Sequence, residues 1–330
     1  MKRFWTLFLS IIMCACCLFS FTACQEKKTV DNNSIVNPRT ETVKVGVIDY
    51  APLNYMYKNT YKGFNTELAV MTFNALGYNV EFVLIEPQSE DDYIPTANDV
   101  YTALEEGDID CFWGGLSDAI LFDEERADFS YPYLYNPLCL VKSTYAGSIS
   151  SIEDLEDMEI AFGTNSAGEI YYENNLIGTV ANLSATSCER GQKSALHKVK
   201  SVTDPINFAI VDALMAFYQK YNGEYSQISI TDIDLNQNNQ LRVVFKKQEE
   251  KNELRDNVNA MLKSFASIKK DGECIITSLA EKYKFNTPAG LSIKSVADFI
   301  ITDFDNVGGE NGGSGLSSNP NTVPVPPSWV

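Results

Sequence analysis

Apolar and polar positions along the chain follow a pattern of strands and helices in alternation. Valines alternate with polar or small residues over positions 43–47, which predicts a strand. Apolar residues then fall on one helical face from Phe64 to Ala75, and Gly77 is placed to end that helix. Alternation resumes over residues 80–84, so a second strand follows the helix.

The same order recurs twice further along the chain. Apolar residues predict a helix near Val100–Leu104, which Gly107 ends, and a strand at Ile109–Trp113. In the second half, strands are predicted at Glu159–Phe162 and Phe208–Val211. Strands that alternate with helices at this pace form βα units on a parallel sheet, so the fold class is α/β.

Small and polar residues follow three of the predicted strands. Gly115 and Ser117 follow one strand, Asn165 and Ser166 follow another, and Asp212 follows a third. The carboxyl ends of parallel strands are where ligands bind in open α/β sheets, because free backbone amides face the crevice there. Three such edges from two halves of the chain predict a cleft between two lobes.

Length and composition limit the class of protein. The chain has 330 residues, enough for two domains, and its 45% hydrophobic and 21% charged residues are typical of a soluble globular protein. Its net charge of −18 argues against a nucleic-acid partner, which would require a basic surface. Neither a CxxC motif nor metal-ligand spacing occurs among Cys111, Cys139, Cys188 and Cys274. A disulfide that involves Cys188 or Cys274 is left open by the sequence.

The two ends of the chain differ in composition from the rest. Residues 1–23 combine Lys2 and Arg3 with a long apolar run, the pattern of a secretory signal peptide. The small residues before Cys24 resemble the processing box of bacterial lipoproteins, in which that cysteine is lipidated, although cleavage of an ordinary signal peptide nearby is the alternative. Residues 24–42 form a polar tether, and residues 287–330 form a tail rich in Gly, Ser, Asn and Pro.

Between these ends the sequence resembles the family-3 extracellular solute-binding proteins, the receptors of amino acid ABC importers. The segments that carry the resemblance are VGVIDYAPLNY, GFNTEL, ALEEGDIDCFWGGLS, DFSYPY, IAFGTNSAGE, AIVDAL and ELRDNVNAMLKSF. The family implies a two-lobe fold of the periplasmic-binding-protein-like type II, with two crossing strands as a hinge. It implies residues 43–137 and 241–286 as lobe 1 and residues 138–240 as lobe 2.

The resemblance also implies roles for residues in the cleft. Tyr50, in the loop Asp49–Pro52, would pack on the ligand, and Asp49 is included with it. Gly115 and Ser117 would meet a ligand carboxylate from lobe 1, and Ser166 would contact it from lobe 2, with the neighbouring Asn165 included in the site. Asp212 would pair with a ligand ammonium, although an aspartate at this point also serves as a helix N-cap, and both roles can hold together.

The sequence departs from the family at one position. The family usually has an arginine five residues after the serine that corresponds to Ser117, and this sequence has Phe122 at that position. Either Arg126 substitutes for it from one helical turn away, or the site lacks its carboxylate clamp, or Arg126 is a solvated residue among acids. Trp113 leaves two interpretations open as well, because it either lines the cleft or fills the core behind the strand.

We therefore expect a lipid-anchored solute-binding protein on the extracellular face of the cytoplasmic membrane. The expected partners are a small polar solute, either an amino acid or an amine, and an ABC permease, with no nucleic acid, no cofactor and no metal. The protein is expected to be a monomer. A ligand sensor for a membrane receptor kinase is one alternative, and an enzyme on the same fold is another. The sequence predicts no catalytic residue, since it has one histidine, His197, and no HExxH, GxSxG or phosphate-loop motif.

Overall fold

The computed structural model describes residues 41–89, 92–221, 225–270, 272–283, 285 and 300–302. In chain order its strands are β1 (Thr42–Val47), β2 (Tyr55–Tyr57), β3 (Thr60–Lys62), β4 (Asn79–Leu84), β5 (Cys111–Phe112), β6 (Ala127–Phe129), β7 (Leu134–Ser143), β8 (Glu159–Gly163), β9 (Ser184–Cys188), β10 (Phe208–Asp212), β11 (Ile228–Leu241), β12 (Val244–Lys246), β13 (Lys269–Lys270) and β14 (Glu273–Cys274). Its α-helices are α1 (Phe64–Ala75), α2 (Ala97–Glu106), α3 (Asp118–Leu121), α4 (Ala167–Tyr171), α5 (Gln192–Lys200), α6 (Ala213–Tyr221), α7 (Glu253–Ser267) and α8 (Ile275–Lys282). A 3₁₀ turn at Ile152–Leu155 and a π turn at Tyr172–Leu176 complete the elements.

Two five-stranded sheets define the two lobes. The sheet of lobe 1 has the order β4-β1-β5-β12-β6, and that of lobe 2 has the order β11-β7-β10-β8-β9. Strand β1 is parallel to β4 and β5, and β8 is parallel to β9 and β10. The predicted parallel βα units are therefore present in both lobes.

Two long strands connect the lobes. Strand β7 follows β6 out of lobe 1, and β11 leads back into β12. The two strands pair antiparallel from Ile228↔Ser143 to Leu241↔Leu134, with irregularities in register between Ile230 and Asn238. Two antiparallel crossing strands form the hinge of a type II periplasmic-binding-protein fold, so the predicted fold class is confirmed.

Local sequence explains where several elements begin and end. Thr96 caps α2 by accepting the N–H of Asp99, whose carboxylate accepts the Thr96 N–H in return. Gly107 ends the helix with a left-handed φ of 81°, a conformation that glycine adopts without a steric penalty. Helix α2 therefore delivers the chain directly to β5, whose end reaches the cleft.

Some predicted elements differ from the structure. The predicted strand at Ile109–Trp113 is only Cys111–Phe112, because the chain turns at Trp113 into the glycine pair Gly114–Gly115. Within the predicted tail, Ile300 forms a bridge with Leu134 and is buried, so this part of the chain contacts the start of β7. Cys111, Cys139, Cys188 and Cys274 are all free, buried thiols.

The N-terminal predictions lie mostly outside the described residues. The predicted signal peptide, Cys24 and most of the tether belong to residues 1–40, and β1 begins at Thr42, the last residue assigned to the tether. Within the described part of the chain, every helix is too short or too polar to span a membrane. The proposed lobe boundaries stay a prediction.

Candidate functional site

Asp212 is the buried acid at the end of β10 in lobe 2. Gln192, the first residue of α5, forms two hydrogen bonds with it: Gln192 Oε1 accepts the Asp212 N–H at 2.6 Å, and Gln192 Nε2 donates to Asp212 Oδ2 at 2.8 Å. The Tyr50 hydroxyl donates to the same Oδ2. Asp212 Oδ1 is buried and has no hydrogen-bond partner among the described residues. One carboxylate oxygen is thus held by the protein, and the other is free to accept.

Tyr50 carries the hydrogen-bond network from lobe 2 to lobe 1. It follows β1, and its ring is buried. Asn136, in the crossing strand β7, donates from Nδ2 to the Tyr50 oxygen at 3.3 Å and accepts the Leu214 N–H at 3.4 Å. Lobe 1, the hinge and lobe 2 therefore meet in one network, centred on the Asp212 carboxylate.

Burial acts on both acidic groups of this network. It raises the pKa of Asp212, and the hydrogen bonds from Tyr50 and Gln192, together with the nearby Asn136 amide, oppose that rise. Burial and then the charge of Asp212 raise the pKa of Tyr50 well above its usual value, so the hydroxyl keeps its proton and stays a donor. A buried carboxylate with one unpaired oxygen is suited to a cation that can donate hydrogen bonds, such as an ammonium.

The lobe 1 side of the site is the turn that follows β5. Asn54 Nδ2 donates to the carbonyl oxygens of Trp113 at 3.2 Å and Gly114 at 2.9 Å, which fixes the path of this turn. Gly115 has a φ of +94°, and a Cβ there would lie 2.9 Å from Leu53 Cδ1, so the position requires glycine. Ser117 precedes α3, and its buried Oγ has no partner among the described residues.

The lobe 2 side is the turn that follows β8. Asn165 has a φ of 55°, is exposed, and donates its N–H to Glu169 Oε2 at 2.7 Å. Ser166 caps α4 by accepting the Glu169 N–H at 3.4 Å. Helix α4 packs against α3 of lobe 1, so the turns that carry Ser117 and Ser166 face each other across the cleft.

Three further contacts join the rims of the two lobes. The Arg190 guanidinium lies 5.0 Å from the centre of the Tyr93 ring. The Ile94 side chain packs on Gly191, where a Cβ would lie 2.5 Å from Ile94 Cδ1. On another part of the rim, the Tyr55 and Tyr218 rings lie 6.1 Å apart. The lobes are therefore in contact around the Asp212 network.

Arg126 does not join this group. Its guanidinium donates to Asn98 Oδ1 at 3.0 Å and Glu105 Oε1 at 2.9 Å, and lies 4.5 Å from the centre of the Tyr101 ring. These partners belong to α2, on the flank of lobe 1. Substitution from one helical turn away would need α3 to continue, but α3 ends at Leu121.

Trp113 and Asp49 also lie apart from the network. Trp113 is fully buried and meets Phe73 and Tyr133 edge-on at 6.1 and 5.7 Å, so it fills the core of lobe 1 rather than lining the cleft. Asp49 is exposed. Its charge raises the pKa of Tyr61 in β3, although the partial burial of that tyrosine is the larger cause of the rise.

Sequence reasoning missed three residues that shape the site. Gln192 follows β9, so the argument that picked out the other strand ends would have found it if applied to a fourth edge. Asn136 lies within a crossing strand, where no local pattern distinguishes it. Asn54 acts on the glycine pair through backbone carbonyls about 60 residues away, which only the tertiary structure shows.

Solved structures with this fold include amino-acid-binding proteins. The substrate-binding protein of an ABC uptake transporter from Streptococcus pneumoniae, solved with bound histidine, is 23% identical at a TM-score of 0.57, covering 74% of this chain and 93% of that one. An ancestral amino acid-binding protein, a precursor of cyclohexadienyl dehydratase, is 25% identical at a TM-score of 0.56, covering 73% of this chain and 94% of that one.

Sequence comparison extends the likeness from the fold to the family. A probable histidine-binding protein from Campylobacter jejuni is 32% identical over 168 residues, which are 48% of this chain and 57% of that protein. The match therefore spans little more than half the length of that relative. The sequence profile of the bacterial extracellular solute-binding proteins, family 3, matches residues 43–286, which include Tyr50, Gln192 and Asp212. The chain belongs to the bacterial extracellular solute-binding proteins of family 3.

Proposed function

We propose that the protein captures a small polar solute with an ammonium group, an amino acid or a related amine, between its two lobes. The observation that carries this proposal is the free, buried oxygen of Asp212, Oδ1, at the centre of a network that joins both lobes. An ammonium on Oδ1 would form a charge-assisted hydrogen bond in a site of low dielectric. Ser117 Oγ supplies a further buried group without a partner among the described residues.

The relatives indicate which solutes to test first. One is named a probable histidine-binding protein, and one structure holds histidine. Others are an ancestral arginine-binding protein bound to arginine and a cysteine-binding protein from Campylobacter jejuni. Histidine, arginine and cysteine share an ammonium and a carboxylate on one carbon, and a network that holds one acceptor oxygen in place suits this shared part rather than a particular side chain.

Thermal unfolding with a panel of the twenty L-amino acids and their decarboxylated amines tests the proposal. A ligand that binds only the folded protein stabilises it by about 2.7 kcal/mol at a hundred times its dissociation constant, so at least one member should raise the melting temperature by several degrees. L-histidine is the first candidate. If no member of the panel shifts the melting temperature, the proposed function is wrong.

We propose that capture serves an ABC importer and involves no chemistry on the solute. The one histidine, His197, lies exposed on α5, and one oxygen of the buried Asp212, Oδ2, is engaged by Tyr50 and Gln192. The ancestral dehydratase precursor among the relatives makes an enzyme the second candidate. Mass spectrometry of the panel after incubation with the protein separates the two, because a binding protein returns every compound unchanged.

Affinity should fall as the pH is lowered. Burial raises the pKa of Asp212, and protonation removes the negative charge that holds an ammonium. The stability of the unliganded protein should change in the opposite sense. The stability that Asp212 contributes is fully present below the pKa that this carboxyl has in the unfolded chain. It is lost as the pH rises through the higher pKa that the carboxyl has in the folded protein. Calorimetric titrations between about pH 4 and pH 8 test this, and an affinity that stays constant over the range would contradict it.

We also propose that Cys24 is lipidated and anchors the protein to the extracellular face of the cytoplasmic membrane. The small residues before it and the polar segment after it support this. In a Cys24→Ser variant, the protein should move from the membrane fraction to the soluble fraction of the same cells. A variant that stays in the membrane as firmly as the wild type would exclude lipidation as the anchor.

A further inference from the structure

We propose that Arg242, from the end of the hinge rather than from the segment after Ser117, holds the carboxylate of the ligand. This inference rests on the proposed function, because it assigns a second contact to the same solute. It concerns the position at which this sequence has Phe122 in place of the arginine expected from the family.

Arg242 lies at the cleft edge of the lobe 1 sheet. Strand β12 runs antiparallel to β5, with Val244 opposite Phe112. Arg242 comes two residues before Val244 and therefore lies at the edge from which the Gly115 turn leaves β5. Leu241, its neighbour, forms an isolated bridge with Ser117. The backbone of Arg242 is thus next to the part of lobe 1 that faces lobe 2.

The Arg242 guanidinium lies over the Phe122 ring. Its central carbon is 5.3 Å from the ring centre, and Phe122 in turn packs on Phe129 with the ring centres 4.9 Å apart. Arginine stacks on aromatic faces through cation–π attraction, which here supports the guanidinium beside position 122. A guanidinium is therefore present next to the position expected to carry one, although it comes from a residue 120 positions later in the chain.

The charge of Arg242 is only partly satisfied within the protein. Its guanidinium donates to the Ser130 carbonyl at 3.1 Å and to Gln240 Oε1 at 3.0 Å, and both acceptors are neutral. Its Nε is buried without a partner, and Arg242 forms none of the ion pairs found among the described residues. The charges of Asp118 and Glu124 act on Arg242 through space, but one Asp118 oxygen is already engaged by the Gln240 N–H at 3.0 Å.

A partly buried cation with a free N–H group is suited to an anionic partner. Burial lowers the pKa of Arg242, which reflects the cost of keeping this charge away from water. A ligand carboxylate would offset that cost and accept the remaining hydrogen bond. With Asp212 on lobe 2 and Arg242 on lobe 1, an amino acid would contact both lobes through its two charged groups, whereas an amine would have only one of these contacts.

Calorimetric titration of carboxylate and amide probes tests this assignment. The probes are the twenty L-amino acids and their C-terminal amides, which keep the ammonium and lose the carboxylate. The proteins are the wild type, Arg242→Gln, Arg242→Lys and Arg126→Gln. Arg126→Gln is the matched control, because that arginine pairs with Glu105 outside the network. Melting temperatures without ligand show whether each variant is folded.

The wild type and the control should bind at least one amino acid about 30-fold or more tighter than its amide. Arg242→Gln should lose that preference while its affinity for the amide stays within about twofold, and Arg242→Lys should keep part of it. Equal loss for acid and amide in Arg242→Gln would show a structural role and overturn the inference. If the wild type binds acid and amide equally, the inference fails and the proposed function stands. If it binds neither, both fail.

Discussion

Asp212→Asn is expected to lower the affinity for an ammonium ligand about a hundredfold or more. Tyr50 and Gln192 both donate to Oδ2, so the single amide oxygen of an asparagine would take that place. The NH₂ group would then stand where Oδ1 is, and a donor would face the ammonium instead of an acceptor. Loss of one partner of a desolvated charge pair costs about 2–5 kcal/mol, which corresponds to this change in affinity.

Calorimetry on the wild type, Asp212→Asn and Asp232→Asn measures the effect. Asp232 is an exposed aspartate in β11 of the same lobe, so its variant makes the same chemical change away from the network and should bind as the wild type does. The unliganded Asp212→Asn protein should melt no lower than the wild type, because burial disfavours the ionised carboxylate. Binding by Asp212→Asn within twofold of the wild type would remove Asp212 from the site.

Gly63→Ala is expected to destabilise the fold by on the order of 3–5 kcal/mol. Gly63 precedes α1 with a φ of +126°, which L-residues rarely adopt. A Cβ there would lie 2.1 Å from the Leu53 carbonyl oxygen and 2.9 Å from the Asn54 nitrogen, and backbone atoms cannot rotate away. The strain would reach the site as well, since Asn54 holds the carbonyls of Trp113 and Gly114.

Urea unfolding of Gly63→Ala and Gly77→Ala separates the cost of the backbone conformation from the cost of the steric clash. Gly77 has a φ of +90°, and a Cβ there would meet no atom within 4 Å. The Gly77→Ala control therefore carries only the conformational cost of about 1–2 kcal/mol. A free energy of unfolding that falls equally in the two variants would show that the contact with Leu53 is relieved without cost.

The order of strands and helices could be predicted from sequence because each signal is local. The alternation over residues 43–47 and the stop at Gly107 both depend on neighbours in the chain, and both correspond to elements that form. The ends of strands could be located for the same reason, which brought Asp212 into the candidate site, whereas Tyr50 was included through the resemblance to the family. The Tyr50–Asp212 hydrogen bond could not be predicted, because it joins residues 162 positions apart.

Arg126, Trp113 and Arg242 show that the position of a side chain in the fold cannot be predicted from its neighbours in sequence alone. Arg126 is near Ser117 in sequence, but it lies on the flank of lobe 1, because α3 ends at Leu121 and Arg126 forms an ion pair with Glu105. Trp113 follows a buried strand, and which side its ring takes depends on Phe73 from α1. Arg242 reaches Phe122 only because β12 inserts between β5 and β6. The positions of all three side chains therefore depend on contacts between residues far apart in the chain.

We propose above that a solute binds between the lobes with its ammonium on Asp212. A crystal structure of the wild-type protein with the amino acid that raises its melting temperature most tests this directly. We expect the ligand nitrogen at hydrogen-bonding distance, about 2.7–3.2 Å, from Asp212 Oδ1, with Oδ2 still bound by Tyr50 and Gln192. A ligand bound outside the cleft, or inside it with its ammonium away from Asp212, would show that Asp212 does not bind the ammonium.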